Sequence, residues 1–558
     1  MPRTKFRLII AAKILATLSV QGAVHSRSTV GQEATSSASG SAQVSPSDRI
    51  AALQAESAST NQPQFGRWGP NPEKYSTWTT HSNRLVPIYS FGGNLEAVAG
   101  QNSVYRSEAA LNKLYGKVPD ATLNKSAEYF DQTDVYRLQK MAVKQGKKRI
   151  ILMVFDGMDW DTTRAAAIAK QGKITYDSGR GTGLDFLDYQ VAPTDFGYFV
   201  SSPHNNGTSA NVDDQSVTNP GGKTPGGYDP RRAGYTPWDA IPEATYPIST
   251  SENPHAYTDS AASATSMTAG IKTYNNAINM DFSGREVVPL ARDLQEQGFA
   301  IGVVTSVPIS HATPACAYAN NVHRNDYQDL TRDLLGLPSV THPGSLPGVD
   351  VLLGAGHGVL KESDGGQGKN FEPGNRYLAP GDEANVRNSK EWVVAMRTAG
   401  KLGSEVLTAA ASSACDNKRR LFGFFGVAGG HLPYQTANGD YKPVRSVGNA
   451  SSAAPEVYSR ADVDENVTLS EMTTAALDVL AARSDRWWLM IEAGDVDWAN
   501  HSNNIDNSIG AVLSGELAFH EATRWIESHG GWDDTLLLLT ADHGHYLVLD
   551  NPELLAGE

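Results

Sequence analysis

The chain has 558 residues, of which 40% are hydrophobic and 19% are charged. This composition is typical of a globular protein and excludes collagen-like, coiled-coil and wholly disordered chains. The length predicts either one large domain with insertions or two domains. A net charge of −14 argues against a general nucleic-acid-binding protein, although bound metal ions would still allow anionic substrates. Two cysteines, Cys316 and Cys415, are too few for a disulfide framework or a cysteine-rich zinc module, so metal ligands must be Asp, Glu or His.

The first 26 residues have the pattern of a secretory signal peptide. Three basic residues within the first seven precede an apolar stretch at 8–20, and small residues follow up to Ser26. The apolar stretch is too short to span a membrane, and a buried N-terminal helix is the alternative interpretation. We therefore expect an exported protein, periplasmic or extracellular, without a membrane span in its mature form.

Two further regions precede the first strongly apolar strand. Residues 27–62 are rich in Ser, Ala, Gln and Thr without periodicity, which predicts a flexible low-complexity linker. Residues 63–145 have helical patterns at 107–115 and 134–144 and are interpreted as an N-terminal extension without an assigned role.

From residue 146 onwards, apolar runs alternate with helical patterns. The run Arg149–Phe155 is continuously apolar after its first residue, which is typical of a strand buried on both faces. Further predicted strands lie at 299–305, 349–353, 421–425, 487–491 and 535–539. The alternation predicts an α/β fold, with a central, mostly parallel sheet sandwiched by helices. We expect this domain to occupy residues 146–558, with a long loop-rich insertion at 172–254.

Metal-binding residue types stand where the predicted strands end. Asp156, Glu492 and the Asp542–His543 pair follow three different strands, and Thr313 lies in the loop after a fourth. Because ligands bind outside the carboxyl ends of parallel strands, we expect these side chains to meet at one edge of the sheet. They are suitable ligands for Zn²⁺ and Mg²⁺ without thiolates. Each strand-end Asp alone could instead be a helix cap.

Two shorter patterns add to this prediction. Asp497 and His501 are four residues apart, so a helix would place both on one face. Ser260 begins a run of small residues predicted to form a closely packed helix, whose first turn favours an anion. Ser260 is either a plain N-cap or a nucleophile, and the second role needs a base or a metal beside it.

Five blocks together resemble the alkaline phosphatase family. They are Phe155–Met158, Asp259–Thr265, His311–Ala315 with Arg324 beyond, Glu492–His501, and Thr540–His543. The resemblance implies an alkaline-phosphatase-like fold, small phosphate monoesters as substrates and a phosphoserine intermediate. It also implies two zinc ions, one magnesium ion and a homodimer.

The resemblance also implies a role for individual residues. Ser260 matches the nucleophile and Arg324 the arginine that binds two phosphate oxygens. Asp156, Asp542 and His543 match ligands of the zinc that activates the serine. Asp156, Thr313 and Glu492 match the ligands of the magnesium, and Asp497 and His501 match two ligands of the other zinc.

Three features depart from the family pattern. His311 stands where many members have aspartate, and Trp498 where others have lysine or histidine, so both are expected to tune the magnesium site and the phosphate contact. The family's third zinc-binding histidine, tens of residues after the Asp-His pair, has no counterpart within the 15 residues after His543. His545 is expected to orient Asp497 instead.

Three explanations account for the missing histidine: a truncated sequence, a substitute ligand such as His431, or an incomplete site. His431 is more simply a loop histidine. The last explanation motivates one alternative to a phosphomonoesterase, a secreted metal- or phosphate-binding relative with weak or no catalysis. A phosphodiesterase of the same superfamily is a separate alternative.

Overall fold

A computed structural model of the chain describes residues 48–447 and 454–557. The predicted signal peptide and the first part of the predicted linker lie outside the described residues. A ten-stranded sheet forms the centre of the fold. In chain order its strands are β1 (Val86–Phe91), β2 (Phe130–Asp131), β3 (Arg149–Phe155), β4 (Thr194–Val200), β5 (Ala300–Pro308), β6 (Val351–Ala355), β7 (Trp392–Met396), β8 (Arg420–Phe424), β9 (Trp487–Ala493) and β10 (Thr535–Thr540).

The sheet is almost entirely parallel, as the alternation of strands and helices predicts. Its spatial order is β7-β8-β6-β5-β9-β3-β10-β1-β4-β2. The seven strands from β7 to β10 are parallel to one another, whereas β1 runs antiparallel to both of its neighbours. The core strands β3, β9 and β10 are apolar and buried because helices cover both faces of the sheet.

Helices connect and cover the strands. In chain order they are α1 (Arg49–Thr60), α2 (Glu108–Tyr115), α3 (Thr133–Lys144), α4 (Trp160–Gln171), α5 (Asp185–Asp188), α6 (Pro230–Ala233), α7 (Ser260–Ala269), α8 (Leu290–Glu296), α9 (Ala312–Cys316), α10 (Tyr327–Leu335), α11 (Pro380–Asn388), α12 (Gly403–Asn417), α13 (Arg460–Asp464), α14 (Leu469–Arg483), α15 (Asp495–His501), α16 (Ile505–Ser528) and α17 (Glu553–Ala556). One group packs in the series α12, α14, α16 and α4, and a second group contains α3, α7, α8 and α9. The fold is therefore the predicted α/β sandwich.

The N-terminal part of the chain differs from its prediction. Residues 49–60, placed in the flexible linker, form helix α1, which begins at the N-cap Asp48 and packs against α16. Its buried Gln54 accepts a hydrogen bond from the backbone N–H of Ile505 at 2.9 Å. The buried face of α1 combines Ile50, Ala51 and Ala58 with the polar Gln54 and Ser57, so a search for apolar periodicity finds only a weak pattern.

Residues 63–145 are also more than an extension. They supply β1 and β2, and β1 lies between β10 and β4 within the central sheet. The sheet therefore begins before residue 146, and the region cannot be separated from the α/β domain. The insertion at 172–254 is loop-rich as expected, but it too supplies a strand of the sheet, β4.

Two further features concern the cysteines and the length of the helices. Cys316 and Cys415 are both free thiols, and Cys316 is buried beside Thr265. No helix within residues 48–447 or 454–557 is both long and apolar enough to cross a bilayer.

Candidate active site

The strand ends bring the predicted ligands together at one edge of the sheet. Asp156 directly follows β3, Glu492 is the penultimate residue of β9, and the Asp542–His543 pair comes two residues after β10. These three strands are adjacent and parallel, with β3 in the middle. All four side chains are at most 1% exposed. Buried carboxylates at this density need compensation by cations or protons.

Ser260 is the first residue of α7, and its hydroxyl lies against this cluster. The Oγ atom is 3.0 Å from Nε2 of His543 and 3.5 Å from Oδ1 of Asp156. Asp259 caps the helix by accepting from the N–H of Ala262 at 3.0 Å, so Ser260 is not the N-cap. Small residues throughout α7 allow it to be buried along its entire length.

Asp259 also fixes the arginine of the site. Nη1 of Arg324 donates to Oδ2 of Asp259 at 2.9 Å, and the arginine side chain is 14% exposed. Despite burial, the Asp259 carboxylate raises the pKa of Arg324 further above its usual range. A permanent positive charge is thus held beside Ser260, in the cavity that both residues line.

The contacts of His543 distinguish this site from a serine–histidine–aspartate triad. In a triad, the carboxylate bonds to the ring nitrogen that faces away from the serine. Here Oδ1 of Asp156 lies 3.1 Å from Nε2 of His543, the same nitrogen that faces Ser260. Nδ1 of His543 is buried and has no hydrogen-bond partner among the described residues. Three potential ligand atoms therefore converge on one point, as they do around a metal ion.

A second cluster surrounds Asp497 on helix α15. Oδ1 of Asp497 lies 3.5 Å from Nε2 of His501, one helical turn later, as the spacing predicts. His545 donates from Nε2 to the same oxygen at 2.8 Å, a position from which it can orient the carboxylate. These histidines, with His81, hold the pKa of Asp497 well below its usual value even though burial opposes this.

His81 is the site residue that sequence reasoning missed. It belongs to the region at 63–145, and its Nε2 lies 3.4 Å from Oδ1 of Asp497 and 3.1 Å from Nε2 of His501. Residues 81–82 pair antiparallel with residues 544–545, which sets the histidine beside the Asp542–His543 pair. The available signal was a histidine five residues before the apolar run that forms β1.

The backbone contacts of two histidines indicate that this cluster suits a cation. Nδ1 of His81 faces the carbonyl of Thr258 at 2.8 Å, and Nδ1 of His501 faces the carbonyl of Thr79 at 2.6 Å. Each carbonyl can accept a hydrogen bond from the Nδ1–H group of its histidine, and in that neutral tautomer both Nε2 atoms present lone pairs to each other at 3.1 Å. A cation between them relieves this repulsion, and backbone-anchored imidazoles are the usual metal ligands.

The carboxylates at the strand ends point to the same need for cations. Burial raises the pKa of Glu492 to about 8 and the pKa of Asp542 to about 7. The pKa of Asp156 is also raised, by burial and then by the charges of Asp497 and Glu492. Oε1 of Glu492 and Oγ1 of Thr313 are buried without a hydrogen-bond partner in the described part of the chain. The donor set therefore fits hard divalent cations.

His311 and Trp498 lie side by side near this set, with ring centroids 5.5 Å apart. Burial, followed by the charge of Arg324, lowers the pKa of His311 to about 3, so its ring is neutral. His431, which the sequence favours as a loop histidine over a substitute ligand, is not part of either cluster. Its ring packs against Trp498 and Tyr434, whereas His81 lies in a group with Asp497, His543 and His545.

A family model described as alkaline phosphatase matches residues 236–554 of this chain. That match covers more than half of the sequence, and the chain belongs to the alkaline phosphatase family. The matched range contains Ser260, Arg324 and the Asp542–His543 pair but neither Asp156 nor His81.

The individual relatives described below are all less than 30% identical to this chain. Alkaline phosphatase 3 of Bacillus subtilis (strain 168) is 28% identical over 302 residues, which is 54% of this chain and 51% of the relative. Alkaline phosphatase of Escherichia coli (strain K12) is 26% identical over 316 residues, 54% of this chain and 60% of the relative. The chain thus matches about half the length of these curated relatives. A crystal structure of a cold-active alkaline phosphatase from Shewanella sp. matches with a TM-score of 0.41 at 20% identity, covering 71% of this chain and 68% of that one.

Proposed function

We propose that the chain hydrolyses phosphate monoesters to an alcohol and inorganic phosphate through a phosphoserine on Ser260. The convergence of Ser260 Oγ, His543 Nε2 and Asp156 Oδ1 on one buried point carries this proposal. It supports a metal-assisted serine nucleophile rather than a triad. The activity of the family to which the chain belongs is consistent with it.

The residues divide among three cation positions. Asp497, His501 and His81 would hold one zinc, Asp156, Asp542 and His543 a second zinc, and Asp156, Glu492 and Thr313 a magnesium. Bound cations supply positive charge that lowers the pKa of a nucleophilic hydroxyl and offsets charge on the phosphoryl oxygens. His545 would position Asp497 through the hydrogen bond from its Nε2 atom.

The protein's own groups perform the remaining tasks. Ser260 Oγ loses its proton and forms a bond to phosphorus as the bond between phosphorus and the alcohol oxygen breaks, and the departing oxygen takes up a proton to leave as the alcohol. Water then attacks phosphorus, the bond between phosphorus and Ser260 Oγ breaks, Oγ regains a proton and inorganic phosphate leaves. Arg324 has one nitrogen held by Asp259, so its other donors are free to bind two phosphoryl oxygens. The N–H groups in the first turn of α7 favour the same anion.

His81 also bears on the alternative functions. The non-catalytic alternative depends on a missing third histidine, and the position of His81 next to Asp497 and His501 supports a complete site instead. The phosphodiesterase alternative gains no observation from the structure. Export and a homodimer remain predictions from the sequence and the family.

Trapping the phosphoserine tests the proposal directly. The purified chain, supplied with zinc and magnesium, is expected to hydrolyse a chromogenic phosphate monoester and to lose this activity on chelation. Ser260→Ala should reduce turnover by about 1,000-fold or more and abolish labelling by radioactive phosphate trapped in acid. Ser266→Ala, on the same helix with its hydroxyl bonded to the Ala262 carbonyl, is the matched control and should stay active. A folded, metal-loaded chain without turnover would contradict the proposal.

A further inference from the structure

The cavity at the site is larger than a phosphate group requires. It measures about 620 Å³ and extends from Ser260 and Arg324 past the histidine cluster to residues within 429–446 and 454–456. Cavities of this size hold entire small molecules rather than single phosphate groups. Its far side therefore has room for the alcohol of a phosphate monoester.

Aromatic side chains form that far side. The rings of Trp498 and His431 meet edge to face with centroids 5.4 Å apart, and His431 packs on Tyr434 at 4.1 Å. Pro443 and Val444 add apolar surface to the same cavity. We call these five residues the aromatic wall.

Part of the aromatic wall is attached to the same helix as residues of the histidine cluster. Trp498 follows Asp497 on α15, so its backbone position is fixed relative to that cluster. Nδ1 of His431 lies 2.5 Å from the carbonyl oxygen of Leu432, a contact that holds the middle ring in place. Rigid aromatic rings bind flat apolar groups with little loss of side-chain entropy.

One carboxylate stands at the edge of the wall. Oε1 of Glu456 lies 3.3 Å from Nε2 of His431, and Oε2 accepts from the hydroxyl of Tyr458 at 2.5 Å. Despite partial burial, the hydrogen bond from His431 lowers the pKa of Glu456, so the carboxylate is negatively charged. Its charge repels further negative groups on a bound alcohol.

We propose that the aromatic wall binds the alcohol part of the substrate and selects monoesters of flat, apolar, uncharged alcohols, with Glu456 disfavouring anionic ones. This inference rests on the proposed function for its substrate but on separate residues for its geometry. Trp498 and Tyr434 are specificity-determining residues in this assignment and take no part in bond cleavage.

Phosphonates test the wall without turnover, because their carbon–phosphorus bond is not hydrolysed. Phenylphosphonate and methylphosphonate are titrated calorimetrically into the metal-loaded full chain, and phenylphosphonate is expected to bind about 10-fold more tightly. Trp498→Ala and Tyr434→Ala should each reduce this ratio to about threefold or less. Because both ligands carry the same phosphonate group, a change in phosphonate binding affects both affinities equally and leaves their ratio unchanged. Equal affinities in the unmodified chain, or a ratio unchanged in both variants, would overturn the assignment.

The carboxylate is tested with a matched pair of ligands. The unmodified chain should bind 4-carboxyphenylphosphonate about fivefold or more weakly than phenylphosphonate. Glu456→Gln keeps the shape of the side chain and should bring the two affinities within about twofold. An unchanged ratio would remove Glu456 from the proposal. Phosphonate selectivity without monoester turnover would refute the proposed function alone, whereas turnover without selectivity would refute the wall alone.

Discussion

Two regions of the molecule deliver side chains to the same buried site by different routes. Parallel strands β3, β9 and β10 carry Asp156, Glu492 and the Asp542–His543 pair to one edge of the sheet. The segment 61–91 arrives from the other end of the chain and brings His81 beside them. The positions of the strand-end residues follow from the sheet itself, whereas the position of His81 depends on how segment 61–91 packs against it.

Docking of that segment uses three successive pairings with the chain around His543. Trp68 pairs with Leu547, residues 81–82 pair with 544–545, and β1 pairs with β10. Residues 61–91 therefore run alongside residues 537–548, the stretch that contains Asp542 and His543. A side chain from outside a predicted domain can complete a site when its backbone adds a strand to the sheet.

Substitution of Arg84 is expected to have the largest effect on the packing of segment 61–91 against the rest of the protein. Its guanidinium is 7% exposed, donates to Oδ2 of Asp161 at 2.9 Å and to the carbonyl of Leu547 at 2.9 Å, and lies 3.9 Å from Asp159. Arg84→Met leaves two buried carboxylates without their cation, so we expect a loss of about 3–5 kcal/mol in the free energy of unfolding. Urea denaturation measures this loss.

The same variant should also lose metal, because the docking of His81 depends on this anchor. Arg460→Met is the control: it removes an exposed ion pair with Asp464 and should cost less than about 1 kcal/mol. Equal stability of both variants would show that segment 61–91 docks without Arg84.

His81→Ala removes the imidazole and leaves Arg84 in place, so it tests metal binding by segment 61–91 separately from the packing of that segment. Loss of an outer partner of a metal ligand typically costs 10–100-fold in metal affinity, so loss of His81 itself should cost more than about 100-fold. The measurement is competition with a chelator for one zinc per chain, read beside monoester turnover. His520→Ala, at an exposed position of α16, should change neither quantity. Retention of full metal affinity by His81→Ala would exclude His81 as a ligand.

The two routes also differ in how far sequence reasoning could predict them. Continuous apolar runs such as 149–155 identify buried parallel strands, and the rule for strand ends then brings Asp156 and Glu492 together without further information. His81 has no such local marker, because its position follows from antiparallel pairing across more than 450 residues. The predicted linker failed for a related reason, since the buried face of α1 mixes Ile50 and small residues with the polar Gln54, which leaves only a weak apolar pattern in the sequence.

The smallest expected effect is on the pH dependence of the free energy of unfolding, and it concerns Asp159, which lies beside Arg84. Burial raises the pKa of Asp159 to about 6 even though Arg84 opposes the shift, whereas an unfolded aspartate has a pKa of about 3.9. The folded state therefore binds the extra proton, so the contribution of this group is fully present below about pH 4 and is lost as the pH rises through 6. Two pKa units correspond to about 2–3 kcal/mol.

Asp159→Asn tests this contribution. The variant keeps the side-chain oxygen that caps α4 and cannot titrate, so its free energy of unfolding should fall less than that of the unmodified chain between pH 4 and pH 8. Parallel curves for the two proteins would mean that Asp159 is already ionised at low pH, and that the 3.9 Å contact with Arg84 outweighs the cost of burial.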